Sequence, residues 1–502
     1  MTPGSSAPRV ARASRGAAAT GRPNRSTAVP AAVPAARPAG SGAPRDKAAR
    51  RERVARSTLS VVADNPLTTY YLILGTTLAL LAIGLPMVLS SSSVTQIANN
   101  KSPYGTFSNQ ALFAGMGLVV MVAASRLPPA AFRRLAWPAL TAAVVLLALV
   151  PVIGLGANGN RSWLKVGPVI VQPAEMAKLA LAVWLATVLA RKRNLLGRTL
   201  HALVPAVPGA LAVVGLVLVG KDLGTALVLM LLVVGALFVA GVRLRVLLGG
   251  MVIAGALVVR VLVFNQAGSN RLTRIQSTLE GCQHAATNAA TTCYQSLHSF
   301  QALGTGGLTG VGLGASREKW SYLPEAPNDF IFAVIGEELG LLGTLLVITL
   351  IGVLSYACLR LVRRHPDPFV QIATGAVACW VIGQAVLNIG VVVGIFPVIG
   401  VPLPLVSAGG SALVTTLAAM GLLLAFARTE PGAALALAAR PSVARRSLAV
   451  VGGVRRSAGR TPAERRRTGR RAGRRAATEP DPSTARQGRP RPVIVTHDRN
   501  DS

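Results

Sequence analysis

Long apolar segments recur through the middle of the chain, and short polar stretches separate them. A helix crosses a bilayer with about 20 mostly apolar residues, and ten segments fit this template. The pattern therefore predicts an all-α polytopic membrane protein with ten transmembrane helices. The predicted spans are 68–91, 109–125, 136–154, 173–190, 203–219, 223–241, 247–264, 329–359, 369–396 and 405–427.

The short loops predict the orientation. An even number of spans places both ends on one side of the membrane. With a cytoplasmic N-terminus, the short inside loops hold twelve Lys and Arg residues, and the short outside loops hold four. This distribution satisfies the positive-inside rule. Both termini are therefore predicted to be cytoplasmic, and the large loop 265–328 is predicted to be extracytoplasmic.

Composition divides the chain into three regions. Of 502 residues, 52 are Lys or Arg and 18 are Asp or Glu, and residues 1–65 and 428–502 together hold 30 of the cations. A mean hydropathy of +0.51 over the whole chain excludes an ordinary soluble domain. We predict a membrane domain over 66–427 between two disordered basic cytoplasmic tails.

The tails carry many cations but few aromatic residues, and they flank hydrophobic spans. This arrangement favours an anionic membrane surface or a cytosolic partner over nucleic acid. A solvated tail that only sets topology is the open alternative.

The four cysteines fall into two groups. Cys282 and Cys293 lie in the predicted outside loop, where the redox environment permits a disulfide between them. Cys358 and Cys379 lie in predicted spans and are expected to be buried thiols. The cysteines and histidines show no spacing typical of a zinc site.

Acidic residues are rare in the membrane domain and cluster at one place. Nine occur between 66 and 427, and five of these lie within 318–338. An ionisable group at membrane depth is costly and marks a candidate functional site. Asn328 is predicted to cap a helix whose first turn contains Asp329.

On that predicted helix, Ala333, Gly336 and Gly340 share the face of Asp329. Two interpretations stay open. The small residues could admit a neighbouring helix, with Asp329 complementing the helix dipole. Alternatively, Asp329 faces a cavity and acts as a general base.

Three further segments are candidates. The glycine-rich stretch 304–314 is either a tight turn or a phosphate-binding loop. Glu175 and Lys178, three residues apart in span four, either neutralise each other or line an outward cavity, and Asp222 resembles a helix N-cap. Residues 396–411, rich in Pro and Gly, predict a non-helical, re-entrant element.

Four ordered motifs are typical of one family. They are Gln172-Pro173-Ala174-Glu175 followed by Lys178, Asp222-Leu223-Gly224-Thr225, Leu323 through Gly340, and Pro404 through Ser411. With ten predicted spans, residues 68–430 resemble the SEDS family (shape, elongation, division and sporulation). The segment Met87 to Ser92 and the long tails are more similar to its division members than to its elongation members.

The resemblance implies a SEDS-type fold and a peptidoglycan glycosyltransferase that polymerises lipid II at the outer face of the cytoplasmic membrane during septal synthesis. The 4-hydroxyl of one disaccharide would attack the anomeric carbon of another, with inversion, and undecaprenyl pyrophosphate would leave. Asp329 matches the family's essential carboxylate and would serve as the catalytic base. The implied substrate-binding residues are Arg161, Glu175, Lys178, Lys319, Glu325 and Ser407. Among these, the cations would hold the pyrophosphate.

The implied partner is a class B penicillin-binding protein, an FtsI-like transpeptidase. Other division proteins are candidates too, including FtsZ through the basic tails. No cofactor follows with certainty, although a divalent metal cation could share the charge. Many members have His-Thr where this chain has Pro327-Asn328, and Arg where it has Ser162, so those contacts are not transferred.

Three alternatives remain open: a lipid II transporter, a non-catalytic scaffold of the division machinery, and an elongation-type polymerase.

Overall fold

The computed structural model describes residues 65–157, 160–167, 169–193, 204–264, 293–320, 323–433 and 436. Within these ranges, ten helices correspond to the ten predicted spans, and an eleventh lies in the predicted outside loop. The helices are α1 (Thr68–Ala98), α2 (Gly105–Arg126), α3 (Pro129–Ile153), α4 (Pro173–Arg191), α5 (Ala206–Val219), α6 (Leu223–Ala240), α7 (Leu244–Phe264), α8 (Tyr294–Gly306), α9 (Ile331–Arg364), α10 (Pro368–Val392) and α11 (Gly410–Arg428).

Eight of these helices are long and apolar enough to cross a membrane: α1, α2, α3, α4, α6, α9, α10 and α11. Helix α5 has 14 residues, about 21 Å at 1.5 Å per residue, which is short of a hydrocarbon core about 30 Å thick. The chain is therefore an integral membrane protein of helical fold, and the number ten stays a prediction.

A small antiparallel sheet between α3 and α4 was not predicted. Its strands are β1 (Leu155–Ala157), β2 (Asn160–Val166) and β3 (Val169–Val171), in the order β1-β2-β3. Gly167 takes a φ of 62° between β2 and β3, a conformation that glycine adopts without steric cost. The polar residues between α3 and α4 therefore lie in extended backbone.

The core centres on α4 and α11, in which most residues are buried. Helix α11 packs on α2, α10 on α6 and α4, and α9 on α1. Glycines set the closest approaches. A Cβ on Gly235 would lie 2.3 Å from Cys379 Sγ, and one on Gly421 would lie 2.5 Å from Met121 O. Small residues thus allow the close helix packing that stabilises membrane bundles.

The connection 393–409 between α10 and α11 is non-helical; the predicted range was 396–411, and Gly410 and Ser411 belong to α11. Val401, Leu403 and Leu405 are buried. A Cβ on Gly84 of α1 would lie 2.7 Å from Val406 Cα. Residues 401–407 of this irregular backbone are mostly buried in protein, which is the condition for such backbone at membrane depth, whereas Ile395 and Gly400 are exposed.

Cys358 and Cys379 are free thiols, as expected; Cys358 is buried, whereas Cys379 is only partly buried. Cys293 is disulfide-bonded. Cys282 lies outside the described residues, so its pairing with Cys293 stays a prediction. Nearly all of both predicted tails also lies outside the described residues.

Candidate functional site

Asp329 lies in a turn before α9, not in its first turn as predicted. Helix α9 begins at Ile331, and its N-cap is Phe330 without a side-chain hydrogen bond. The backbone N–H groups of Asn328 and Asp329 both donate to Glu325 O at 3.0 Å, which closes the turn. Asn328 Nδ2 donates to Glu325 Oε2 at 2.5 Å. The prediction of Asn328 as N-cap was therefore wrong, because its side chain stabilises the preceding turn.

Helix α9 is interrupted at Gly340, whose φ and ψ are 66° and −162°. The glycine-rich loop after α8 joins α9 at this break. The N–H of Val311 donates to Glu337 O at 3.0 Å, and that of Gly312 donates to Glu338 O at 3.1 Å. These amides donate to protein carbonyl groups. Of the two alternatives for this segment, the structure therefore favours a tightly turning loop and not a phosphate-binding loop.

The predicted face of small residues is also corrected. Because α9 starts after Asp329 and breaks at Gly340, one helical wheel does not connect the two. A Cβ on Gly336 would lie 2.4 Å from Leu303 Cδ2, and one on Gly340 would lie 2.4 Å from Gly310 N. The small residues admit α8 and its following loop.

Asp329 is a half-buried residue beside the loop before α11. A Cβ on Gly400, which has a φ of 70°, would lie 3.5 Å from Asp329 Oδ2. Burial, followed by the charges of Glu325 and Asp222, raises the pKa of Asp329 from 3.8 to about 7. The structure therefore contains a carboxyl group that gains or loses a proton near neutral pH.

Asp222 caps α6, as predicted. Its side chain accepts a hydrogen bond from Thr225 N at 3.0 Å. Gln172 Nε2, just before α4, donates to Asp222 Oδ2 at 2.9 Å. A Cβ on Gly224 would lie 2.6 Å from Ile399 O. The start of α6 is thus held against the loop that borders Asp329.

Glu175 and Lys178 form the predicted ion pair. Lys178 Nζ lies 2.8 Å from the Glu175 carboxylate and donates to Gln384 Oε1 at 3.0 Å. Lys178 is 1% exposed and Glu175 3%. The pair joins α4 to α10 inside the bundle, and a substrate contact by either residue stays a prediction.

Lys319 is also buried in an ion pair. Its Nζ lies 3.2 Å from Glu338 Oε1. The same nitrogen donates to Gly314 O at 2.6 Å and Ser90 Oγ at 3.2 Å. A lysine ammonium has three donors, and all three are engaged here. A phosphate contact would require Lys319 to leave Glu338.

The remaining predicted residues occupy different settings. Arg161 on β2 is exposed, and its Nη1 donates to Pro151 O at 3.1 Å. Glu325 is exposed beside Asp329, with a φ of 59°. Ser407 is buried, and its Oγ accepts from Leu403 N at 2.7 Å. Arg161 and Glu325 are accessible to a ligand, whereas Ser407 shapes the loop.

Sequence reasoning missed two buried amides on α10. Asn388 Nδ2 donates to both Asp329 O and Val401 O at 2.7 Å. Gln384 Nε2 donates to Pro402 O at 2.9 Å. Their spacing of four residues in an apolar span places them on one helix face. That polar stripe is the signal that could have found them.

A metal site was tested against the described residues. Among them, no group of three or more His, Cys, Asp and Glu side chains is placed to hold a metal ion.

Comparison with known proteins gives a consistent result. The model of the FtsW/RodA/SpoVE family, described as cell cycle protein, matches residues 70–431. The probable peptidoglycan glycosyltransferase FtsW of Mycobacterium tuberculosis is 37% identical over 386 residues, which cover 76% of this chain and 72% of the relative. Stage V sporulation protein E of Bacillus subtilis is 35% identical over 358 residues, with 70% and 95% covered.

Solved structures show the same likeness. A chain from a peptidoglycan synthase complex, solved to explain how polymerization and crosslinking are coordinated, is 28% identical with a TM-score of 0.57 and covers 72% of this chain and 98% of its own. The rod shape determining protein RodA of Thermus thermophilus is 29% identical with a TM-score of 0.53, with 72% and 97% covered.

Proposed function

Because the chain belongs to the FtsW/RodA/SpoVE family of cell cycle proteins, we propose that it is a peptidoglycan glycosyltransferase that polymerises lipid II in cell division. Relatives named for this activity are 37% and 35% identical to it. The reaction joins the 4-hydroxyl of one disaccharide to the anomeric carbon of another, with inversion, and releases undecaprenyl pyrophosphate.

The observation that carries the mechanism is the position of Asp329, half-buried beside Glu325 and the loop before α11. A general base works best when its pKa lies near the working pH, and burial beside two carboxylates raises the pKa of Asp329 to about 7. Its ionised form would take the proton of the attacking hydroxyl. Because Asp329 as a residue is only half-buried, we expect a sugar to reach it from the exposed side.

The leaving pyrophosphate needs positive charge. Arg161 is the exposed cation among the predicted binding residues. It lies beside the turn between α5 and α6, because Arg161 N donates to Gly220 O at 3.2 Å. Lys319 and Lys178 would contribute only after leaving their carboxylate partners. Arg161 is thus the first cation to test for pyrophosphate binding.

The partner and the site of action belong to the same proposal. The similarity to a chain of a peptidoglycan synthase complex supports assembly with a class B penicillin-binding protein. Names of the relatives favour division over elongation. We place both termini in the cytoplasm and the reaction at the septum. A fluorescent fusion found along the lateral wall instead would favour the elongation role.

The test is polymerisation of labelled lipid II by the purified chain, alone and with a penicillin-binding protein whose transpeptidase is blocked. Wild type should make glycan chains and Asp329→Ala should not. Asp367→Ala is the matched control, since Asp367 caps α10 and carries no proposed catalytic role. Equal chain synthesis by wild type and Asp329→Ala would reject the assigned base. If wild type makes no chains with the partner, the transporter and scaffold alternatives take precedence.

A further inference from the structure

Asp329 is held by a residue more than fifty positions away. Asn388 on α10 is 1% exposed. A single nitrogen, Nδ2, donates its two hydrogens to Asp329 O and to Val401 O, at 2.7 Å each. One side chain therefore bridges three elements: α10, the turn before α9, and the loop before α11.

A second contact closes the same junction. The N–H of Ala408 donates to Pro327 O at 2.9 Å. Gly400 precedes Val401, to which Asn388 donates, and a Cβ on Gly400 would lie 3.5 Å from Asp329 Oδ2. The Asn388 bridge thus sets how far the carboxylate stands from the backbone that borders it.

The orphaned atom of the amide supports this interpretation. Asn388 Oδ1 is buried and has no hydrogen-bond partner among the described residues. An unsatisfied buried acceptor costs free energy. A residue chosen only for packing at this depth would avoid that cost. Asn388 bears this cost, and its Nδ2 group donates two hydrogen bonds at one point.

From this geometry, and resting on the proposed polymerase function, we infer that Asn388 is a positioning residue that holds the Asp329 carboxylate at the reacting hydroxyl through the Asp329 backbone. It does not touch substrate. When the bridge is lost, Asp329 is still present, but it can move relative to the loop before α11. A displacement of about 1 Å at a reacting group can lower the rate about hundredfold.

The test compares the full-length Asn388→Ala and Asn388→Thr variants in lipid II polymerisation with the partner. Asn388→Thr is the milder change, because threonine keeps one donor, and it serves if the alanine variant fails to fold. We expect kcat to fall between about tenfold and hundredfold, with KM for lipid II near the wild-type value. The acidic limb of the pH profile should move to lower pH, since a released carboxyl is better hydrated.

Ser299→Ala is the matched control. Ser299 Oγ also donates to a backbone carbonyl of α10, Val392 O, at 3.1 Å, but does not contact Asp329. It should lower thermal stability about as much as Asn388→Thr and leave kcat and the pH limb unchanged. A purely structural role for Asn388 predicts that all variants lose activity only in proportion to folded protein, which would overturn the inference.

The two proposals fail differently. Chains made by wild type but not by Asp329→Ala, with an unchanged kcat for the Asn388 variants, reject the positioning role alone. Absence of chains from wild type rejects the polymerase and this inference with it.

Discussion

Two glycines at the end of α8 lead to opposite predictions for the same substitution. Gly304 is open, with nothing within 4 Å of a built Cβ. At Gly306, a Cβ would lie 1.9 Å from Gly336 O. A carbon and a carbonyl oxygen approach no closer than about 3.3 Å in ordinary contacts. Gly306→Ala must therefore push α8 and α9 apart by about 1.4 Å.

That displacement reaches the hydrogen bonds that join the glycine-rich loop to α9. The bond from Val311 N to Glu337 O is 3.0 Å long, as is the bond from Leu341 N to Gly307 O. Stretched by more than 1 Å, each loses about 0.5–1.5 kcal/mol. Together with the overpacking itself, Gly306→Ala should lower the free energy of unfolding by about 2–4 kcal/mol. Gly304→Ala should raise it by up to about 1 kcal/mol, because alanine is the better helix former.

The assay is denaturant unfolding in detergent, followed by tryptophan fluorescence, for both variants and wild type. Polymerisation of lipid II gives a second readout, since the loop carries the Lys319 network next to α9. Unfolding of Gly306→Ala at the wild-type denaturant concentration, or a shift of both variants in the same direction, would refute the predicted clash at Gly306.

Four further outcomes follow from the carboxylates. Polymerisation should rise with pH through a midpoint near 7, because Asp329 must be ionised to act as a base; a midpoint near 4 contradicts its burial. The free energy of unfolding depends on pH in the opposite sense. Above about pH 3.8 the unfolded chain loses the Asp329 proton, whereas the folded chain keeps it, so the contribution of Asp329 to stability falls between pH 4 and 7. Glu325→Gln removes a nearby negative charge and should move the activity midpoint to lower pH, measured with Asp367→Ala as reference. Lys319→Ala leaves Glu338 buried without its cation and should cost about 3–5 kcal/mol, whereas the double change Lys319→Met with Glu338→Leu should recover most of the unfolding midpoint.

Features that depend only on residues close together in the sequence could be predicted. Apolar runs located the ten helices that correspond to the predicted spans, although several ends differ, by seven residues at the end of α1 and at the start of α3. The Asp222 cap and the ion pair of Glu175 with Lys178 were recognised because each is complete within one helical turn. Asp329 emerged from the same reasoning, since a carboxylate is conspicuous in an apolar chain.

Contacts between distant segments were decided by the tertiary structure. The break in α9 arises because the loop after α8 supplies backbone partners at Gly340, and no local pattern specifies that meeting. Lys319 finds Glu338, and Asn388 finds the turn before α9, only after the helices pack. Sequence periodicity describes one element at a time, whereas the burial of Lys319 and the position of the Asp329 carboxyl group depend on every element that surrounds them.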